Sequence, residues 1–524
     1  MVLFLTVPVL FVYTQEQSQE QAPEQYCEQS CIPAENDHTV YVIRGIEFDI
    51  IGRSRPFALI SHGEFKYGEQ IRGKKNLDKY LADKEQLLLN RRVLEELKIE
   101  YFPGESEEDG ALPVKLLVHV KDSRNRVILP YPQYTTSDGF SITVKARDYN
   151  FLGTLNALKV DFGYNLKKGD QGIHFLLDAD VPFQAAGLNW NLNFDHFLNY
   201  NFGEPVYYQN VTGLSFQLPW RATTFTVGFN QYLTINEEPS EESKEIYSVT
   251  EKQYDPYGAT ELFASQKIPL GIALGDFGEL TYTPGLSGRI NYPYGKMDEV
   301  RKPVTTFSHS IGFGRVNWIG NYRKGLSASV GNAYSWYIDR SDAPLKITLE
   351  GDVNFHWIFS KYFGFSSRLN YREWWQRSDK MNSGNGGWIP YFNAGDTIRG
   401  VLDIDIWRTQ GSDVWADRML SLNLDFPVRV LRFWPSEWCD NPKLRLFNFE
   451  MFFSPFMDMA LLQGPYSRLR TDWYDGTEFS FKDMISTAGF EIIVFSGFFR
   501  SLKLRLSAGY NLRKIKNEGL SLNG

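Results

Sequence analysis

Short segments in which apolar and polar residues alternate dominate the sequence from Tyr134 to the C-terminus. A segment has about ten residues, the length at which a tilted strand crosses a bilayer. In Leu345–Trp357 the apolar residues share one parity, and lysine, glutamate, aspartate and histidine share the other. This period of two is typical of strands with one apolar and one polar face. Similar segments are Leu502–Leu512, Leu188–Phe194, Phe225–Phe229, Leu158–Leu166 and Leu420–Phe426.

Two environments fit such strands. A soluble sandwich buries its apolar faces between two sheets and exposes the polar faces to water. A membrane barrel turns the apolar face to lipid, and its sheet must close because lipid satisfies no backbone hydrogen bonds. The segment length, the charged residues on the polar faces and an aromatic content of 15% favour the barrel. We therefore predict a mainly β fold, with a transmembrane antiparallel β-barrel of sixteen strands over residues 134–524.

Composition excludes other classes. Hydrophobic residues make up 43% of the chain and charged residues 23%, which indicates a folded protein. No apolar stretch approaches the roughly 18 residues that a membrane-spanning helix needs. The net charge of −8 argues against nucleic acid as a partner, because such proteins carry a basic footprint. The sequence shows no cluster of metal ligands and no nucleophile or phosphate-binding motif, so we expect no metal, no cofactor and no enzymatic activity.

A different pattern precedes the barrel, over residues 39–123. Two segments with helical spacing of leucines lie between segments rich in β-branched residues. The predicted order is β-α-α-β-β, a compact α+β domain. Its predicted elements are the strand Val40–Gly52, the helices Arg55–His62 and Lys75–Lys98, and the strands Lys98–Phe102 and Val114–Lys121.

The N-terminus carries a short apolar run followed by Gln/Glu-rich sequence. We interpret residues 1–16 as a signal peptide and residues 17–38 as a polar tether. A buried strand or a membrane-surface anchor is the alternative for the apolar run. Cys27 and Cys31 lie in the tether, and export would allow them to form a disulfide. A metal site there is less favoured, since the two cysteines supply only two ligands.

A polar pair stands out late in the chain. Arg399 lies in a long stretch rich in glycine, asparagine and serine, and loops of this length are normally functional or mobile. Asp458 shares the polar parity of its segment with Glu450 and Ser454, so it should point into the barrel. If the loop folds inward, a bidentate Arg399–Asp458 pair would pin it there. Spacing alone leaves open that Arg399 is a charge at the loop tip and that Asp458 only lines a wet interior.

Three short motifs, in order, resemble those of the BamA/TamA superfamily of outer-membrane assembly and translocation barrels. Members of that family carry POTRA domains of β-α-α-β-β order before a sixteen-stranded barrel, and residues 39–121 resemble one such domain. Val401 and Ala460 depart from the family's aromatic residue and glycine. The matching residues are Asp148, Asn150 and Gly153 of the early-strand motif, Ile398, Arg399 and Gly400 of the lumen-loop motif, and Phe456, Asp458 and Ala460 of the loop-pinning strand motif.

The resemblance implies a function. It implies a non-enzymatic factor in the outer membrane of a diderm bacterium that inserts or translocates polypeptides, with its POTRA-like domain in the periplasm. The implied partners are membrane lipids, unfolded outer-membrane or secreted polypeptides, and periplasmic accessory proteins. It also implies that Arg399 pins the lumen loop to Asp458. The alternatives are a dedicated exporter of the two-partner secretion type and a passive outer-membrane channel.

Overall fold

A computed structural model gives the fold of most of the chain. The predicted signal peptide, the tether, Cys27 and Cys31 lie outside the described residues. Among the described residues, no helix is both long and apolar enough to span a membrane. The structure describes residues 39–106, 110–135, 139–166, 171–202, 206–235, 257–293, 303–338, 345–376, 392–393, 397–399, 415–463, 479–481 and 484–512.

The small domain is a four-stranded sheet with two helices on one face. Its strand order is β2-β1-β4-β3, with β1 and β4 parallel. Leu59 and Leu77 of the helices pack with Val114 and Leu116 of the sheet, and all four are fully buried. The elements are β1 (Val40–Ile51), α1 (Pro56–Gly63), β2 (Gln70–Arg72), α2 (Lys74–Leu89), β3 (Leu94–Pro103) and β4 (Leu112–Asp122).

The second helix is shorter than predicted. The sequence predicted a helix to Lys98, but α2 ends at Leu89 and the chain reverses at Arg92, which has a left-handed φ of 58°. Residues after this turn pair with β4, for example Leu97 with Val120. The leucines of β3 continue the helical spacing by coincidence, and only their pairing with β4 reveals the strand. The three-residue β2 is too short to give a sequence signal.

The rest of the described chain forms a closed barrel of eighteen strand segments. Consecutive strands pair as antiparallel neighbours. The predicted mainly β barrel after a small α+β domain is confirmed. The first strands are β5 (Arg126–Thr135), β6 (Gly139–Asp148), β7 (Leu158–Asn165), β8 (Gly172–Ala185), β9 (Leu188–Asn201), β10 (Tyr207–Trp220), β11 (Thr223–Ile235), β12 (Tyr257–Ala273) and β13 (Glu279–Pro293).

Later strands continue the same meander, and a separate two-residue pair is not part of the barrel sheet. That pair is β18 (Phe392–Asn393) with β19 (Trp415–Ala416). The barrel strands are β14 (Val304–Ile319), β15 (Tyr322–Tyr337), β16 (Leu345–Ser360), β17 (Phe363–Gln376), β20 (Arg418–Asp425), β21 (Val428–Phe433), β22 (Phe449–Gln463), β23 (Ile485–Ser496) and β24 (Lys503–Asn511).

Two of the segments share one strand position. Both β20 and β21 pair with β17 on one side and β22 on the other, and the break between them falls at Phe426 and Pro427. Eighteen segments therefore occupy seventeen positions, one more than the predicted sixteen strands. Because every step from β5 round to β24 is antiparallel, β5 and β24, the first and last strands of the closed barrel, run in the same direction.

The additional strand is β5, which the sequence reading treated as a connection. The barrel sheet begins at Arg126 rather than at Tyr134. Pro130 and Pro132 are unusual residues in a strand, but they pair with Val144 and Ile142 of β6. Prolines two residues apart lack N–H donors on the same side of a strand, so a ladder on the other side can still form. Such a strand suits the place where the first and last strands meet.

The outer surface of the barrel is apolar. Leu262, Leu286 and Ile290 expose 65%, 56% and 59% of their surface. The polar parity points inward, where Asp458, Thr487 and other polar residues are buried. This is the sidedness of a barrel that spans a membrane. The rows predicted in Leu345–Trp357 and Leu502–Leu512 follow it, since Val353, Trp357, Leu504 and Tyr510 are exposed on the outside.

A charged side chain should be tolerated on the inner face of the barrel wall and not on its outer face. We expect Leu286→Arg, at the middle of β13, to destabilise the membrane-inserted barrel by about 2–4 kcal/mol, because the side chain would enter the bilayer midplane. The neighbouring Ser287 has the opposite parity, so Ser287→Arg should cost much less. Urea titration in lipid vesicles, followed by heat-modifiable mobility on gels, measures both. Equal costs at the two positions would contradict the assigned sidedness.

Candidate functional site

The centre of the candidate site is Arg399, which lies inside the barrel. Its main-chain N–H donates to Asp458 Oδ2 at 2.8 Å, and its Nε donates to the same oxygen at 2.9 Å. Its Nη2 donates to Asp458 Oδ1 at 2.6 Å. The Asp458 side chain has no exposed surface. One carboxylate on β22 thus receives three donors from one residue of the loop between β17 and β20, two of them in the bidentate geometry of a strong ion pair.

Further carboxylates complete the surroundings of the guanidinium. Nη1 donates to Asp425 at 2.6 Å and to Glu491 at 3.2 Å. Glu491, almost wholly buried, also lies 3.4 Å from Arg505 on β24. Four strands and the loop therefore meet at one cluster of three carboxylates and two guanidinium groups. Asp425 and Glu491 were missed by the sequence reading, because only the strand register brings them beside Asp458.

The other described residues of both motifs lie around this pair. The Phe456 ring stacks under the Arg399 guanidinium at 3.9 Å, a cation–π contact away from water. Ile398 is 4% exposed, and the carbonyl of Thr397 accepts from Asn423 at 2.8 Å. Ala460 is buried two residues beyond Asp458. Gly400 lies outside the described residues.

The early-strand motif lies elsewhere, in the turn between β6 and β7. There it joins the small domain to the barrel. Asp148 accepts from Arg53 at 3.1 Å, and the buried Asn150 donates to Ser54 at 3.0 Å and to Asp122 at 3.1 Å. The Gly153 carbonyl accepts from the Arg55 N–H at 2.9 Å.

Gly153 is required at this junction. Its φ is +75°, and a β-carbon there would lie 1.9 Å from the Arg53 carbonyl. A side chain would therefore push the small domain away from the turn. The three residues of this motif act together as a connector, which the sequence alone did not indicate.

The small domain is also bonded to distant turns of the same barrel end, which we call the proximal rim. This is the end at which β5 begins. Lys79 of α2 pairs with Asp276 at 2.9 Å, Asp83 pairs with Arg315 at 3.0 Å, and Glu95 pairs with Arg445 at 3.2 Å. These turns lie in separate parts of the strand order, so the domain extends across the mouth of the barrel.

Arg92 makes the densest of these contacts. Its guanidinium donates to the carbonyls of Arg500 and Gly320 at 2.8 and 3.2 Å and to Asn321 Oδ1 at 2.7 Å. It also lies 4.6 Å from the centre of the Trp318 ring. Burial lowers the pKa of Arg92 to about 10, so the group keeps its charge at neutral pH. A desolvated cation held by oxygens and an aromatic face behaves as an anchor.

His62 of α1 is expected to give the junction a pH dependence. It contacts the Thr154 carbonyl at 3.1 Å and the Arg91 guanidinium. Burial, and then the Arg91 charge, lower the pKa of His62 to about 4 from its usual 6.5. Between pH 6.5 and pH 4, His62 of the undocked domain therefore binds a proton, whereas His62 of the docked domain does not. Docking should be strongest above pH 6.5 and weaken by at most tenfold per pH unit as the pH falls toward 4.

The variant His62→Gln should remove this pH dependence. Amide hydrogen exchange of the segment around Arg55 and Gly153, measured between pH 7.5 and 4.5 after correction for the intrinsic rate, reports docking. His119→Gln is the matched control, because His119 lies on the exposed face of the small sheet. A pH profile unchanged by His62→Gln would contradict the assignment.

The part of the chain that the structure describes contains no group of three or more residues placed to hold a metal ion. No protein-family model matches the sequence, and the comparison with curated proteins gives no match. Solved structures with similar folds include CdiB from Acinetobacter baumannii, at 12% identity and a TM-score of 0.42, over 90% of this chain and 74% of that one.

Two further structures show the same level of similarity. BamA from Haemophilus ducreyi lacking POTRA domains 1–3 is 12% identical with a TM-score of 0.33, over 90% of this chain and 81% of that one. The siderophore receptor PirA from Pseudomonas aeruginosa is 10% identical with a TM-score of 0.32, over 80% and 73%. These similarities are too distant to assign a role, which has to come from the geometry of the site.

Proposed function

We propose that this chain is a non-enzymatic assembly or translocation factor of the BamA/TamA type that handles unfolded polypeptides at the outer membrane. The observation that carries the proposal is the triple contact of Arg399 with Asp458 inside the barrel. In the family pattern, the same loop motif meets the same strand motif. The small domain at the proximal rim and the connector at Asp148–Gly153 support the proposal, since they follow the family's order.

In this proposal the apolar outer surface contacts lipid and the small domain lies in the periplasm as a POTRA-like domain. Its sheet has two edges, β2 and β3, where an extended client or an accessory protein can add a strand. Backbone hydrogen bonds at such an edge do not depend on the client's side chains. The function needs no cofactor, because pairing of strands supplies the free energy of insertion.

Depletion of the protein in its diderm host tests the proposal. An assembly factor serves many clients, so the levels of many outer-membrane proteins should fall together. A complementing copy with Arg399→Ala should restore growth poorly, whereas Arg368→Ala, which removes an exposed inner-wall ion pair, should restore it fully. Unchanged outer-membrane protein levels after depletion would overturn the assembly role.

A dedicated exporter or a passive channel is the second candidate. Both share the barrel, and the domain across the proximal rim suits an exporter whose mouth opens only for its client. Depletion would then reduce one secreted protein and leave the other outer-membrane proteins unchanged.

A further inference from the structure

One part of the contact between the small domain and the proximal rim shows no ion pair or hydrogen bond among the residues that the structure describes. A partly open cavity of about 140 Å³ separates α1 from the ends of β8, β9 and β10. Elsewhere on the rim, ion pairs and hydrogen bonds join the two parts. The residues that line the cavity include Phe57, Ser61, Trp190, Asn189, Asn191 and Gln217.

The lining is aromatic and amide in character. Every residue that lines the cavity is uncharged at neutral pH, including His62, whose pKa is about 4. The Trp190 ring stacks on Phe183 with centroids 6.2 Å apart, and its Nε1 donates to the Ala185 carbonyl at 3.0 Å. The ring is therefore fixed in orientation. An occupant that matches this lining has apolar groups and uncharged hydrogen-bonding groups.

A row of carboxamides leads from the cavity along the inner wall of the barrel. Asn189, Asn191 and Asn193 follow one another on the inward face of β9 and stand opposite Gln217, Ser215 and Gly213 of β10. A β-carbon on Gly213 would lie 2.4 Å from Asn193 Oδ1 and 2.1 Å from Asn230 Oδ1. The glycine thus leaves room for the Asn193 carboxamide of the row and for a further carboxamide, that of Asn230, beside it.

The spacing of this row matches an extended polypeptide. Alternate residues of a strand repeat every ~6.7 Å, and the peptide groups on one side of an extended chain repeat at the same distance. Each carboxamide carries one acceptor and two donors, like a peptide group with one extra donor. Asn189 Oδ1 accepts from Gln184 at 2.9 Å, which leaves its two N–H donors for a client. Asn191 Nδ2 donates to Asp180 at 3.5 Å, which leaves its oxygen. Successive peptide groups of a client can therefore bond successive asparagines, whatever the client's side chains.

We infer that the cavity under α1 admits unfolded polypeptide to the barrel, and that the row Asn189–Asn191–Asn193 binds it in extended form by its main chain. This access cleft deepens the proposed function and depends on it. It also explains why bonds join the small domain to only part of the proximal rim. If they joined it along the whole rim, a client could not enter the barrel.

Photo-cross-linking of the full chain in lipid nanodiscs tests the inference. p-Benzoylphenylalanine replaces Ser61 in the cleft, Asn193 in the row, or Lys79 on the bonded side as control. The probe is a biotinylated 20-residue peptide of alternating serine and valine. We expect cross-links at positions 61 and 193, none at 79, and competition by unlabelled peptide but not by maltoheptaose. Competition by the sugar would overturn the inference in favour of a glycan site.

Variants separate binding from folding. Asn191→Leu and Gln217→Leu should each weaken peptide binding about fivefold, the effect of losing one hydrogen bond. Asn199→Leu makes the same change on β9 away from the cleft and should have no effect. Heat-modifiable mobility confirms that each barrel has formed. The cross-link at position 61 is an independent test, because it is measured in a chain that carries neither leucine substitution. Equal affinity for the peptide in all three variants would overturn the proposal that the asparagine row binds it.

The outcome also distinguishes the two proposals. If the peptide cross-links to a probe at Arg368 on the inner wall but not at Ser61, polypeptide handling stands and the access cleft is wrong. If it cross-links at none of these positions and depletion leaves outer-membrane protein levels unchanged, the proposed function fails and the cleft with it.

Discussion

Replacing Arg399 with alanine is expected to raise the conductance of the barrel several-fold and to destabilise it by about 3–5 kcal/mol. The cost arises because the fully buried Asp458 carboxylate would lose its guanidinium partner, and Glu491 would keep only Arg505. The conductance should rise because the Arg399 side chain, through Nε and Nη2, holds the loop against Asp458 of the inner wall. Single-channel recording in planar bilayers and urea titration in vesicles measure the two effects.

The lysine variant separates charge from shape. Arg399→Lys keeps the positive charge but cannot reach Asp458, Asp425 and Glu491 together, because an ammonium group lacks the planar fork. We expect intermediate conductance and most of the loss of stability. Asp458→Asn should reproduce the alanine variant, since an amide has one acceptor oxygen where the carboxylate has two, and its NH2 group faces the donors of Arg399.

A double-mutant cycle between Arg399→Ala and Asp458→Ala measures the coupling free energy between the two side chains. Residues in direct contact give coupling free energies of about 0.5–3 kcal/mol, whereas independent sites give values near zero. Arg368→Ala is the control for conductance, because its partner Asp352 lies on the neighbouring strand β16 and involves no loop. A folded Arg399→Ala barrel with wild-type conductance would show that the loop is held by other contacts.

The strands could be predicted from sequence because lipid and water impose opposite demands on alternate residues. Leu345–Trp357 shows this well. Its polar residues alternate with apolar residues along the whole segment, although residues of this strand pair with β15 on one side and with β17 on the other. The strand count failed at β5, where Pro130 and Pro132 obscured the pattern. A strand beside the closing seam tolerates missing donors that an interior strand cannot.

The site could be predicted only in part for a related reason. Parity placed Asp458 inside, and the family resemblance supplied its partner Arg399. Glu491 stands alone among apolar neighbours on β23, a pattern that could have marked it as a residue with an inward partner. Asp425 gave no such signal, because its role depends on the register between β20 and β22.

Contacts across the proximal rim were beyond sequence reasoning altogether. They join Arg92 to turns more than two hundred residues away, and they depend on how the barrel closes. In the sequence, Arg91 and Arg92 read as charges on a solvated helix. The left-handed turn at Arg92 aims its side chain at Trp318 instead.

Replacing Arg92 with alanine is therefore expected to release the small domain from the far side of the rim. Three hydrogen bonds from a charged group and the contact with the Trp318 ring would be lost. We expect docking at this side to weaken by ~3 kcal/mol, more than a hundredfold, since hydrogen bonds to charged groups contribute about 1.5–3 kcal/mol each. The connector at Asn150 should hold, so the domain would pivot about it rather than detach.

Pulsed electron–electron double resonance, which measures the distance between two spin labels, tests whether the domain pivots. Spin labels at Asp78→Cys on α2 and Lys361→Cys on a rim turn, with Cys27, Cys31 and Cys439 replaced by serine, report the position of the domain. The wild-type protein should give one narrow distance and Arg92→Ala a broad distribution with longer distances. Arg72→Ala, an exposed arginine of the same domain, is the matched control. A narrow distribution in Arg92→Ala would show that the ion pairs of Lys79, Asp83 and Glu95 suffice to hold the domain.

The two predictions concern opposite ends of one conduction path. Arg399 fastens a loop inside the barrel, and Arg92 fastens a domain across its mouth, so a polypeptide that traverses the barrel must pass both. If both contacts limit passage, the double variant should conduct more than either single variant, because each opening removes a separate resistance in series. If Arg92→Ala alone leaves conductance unchanged while the domain pivots, ions already enter through the access cleft beneath α1, and the loop is then the only barrier that remains.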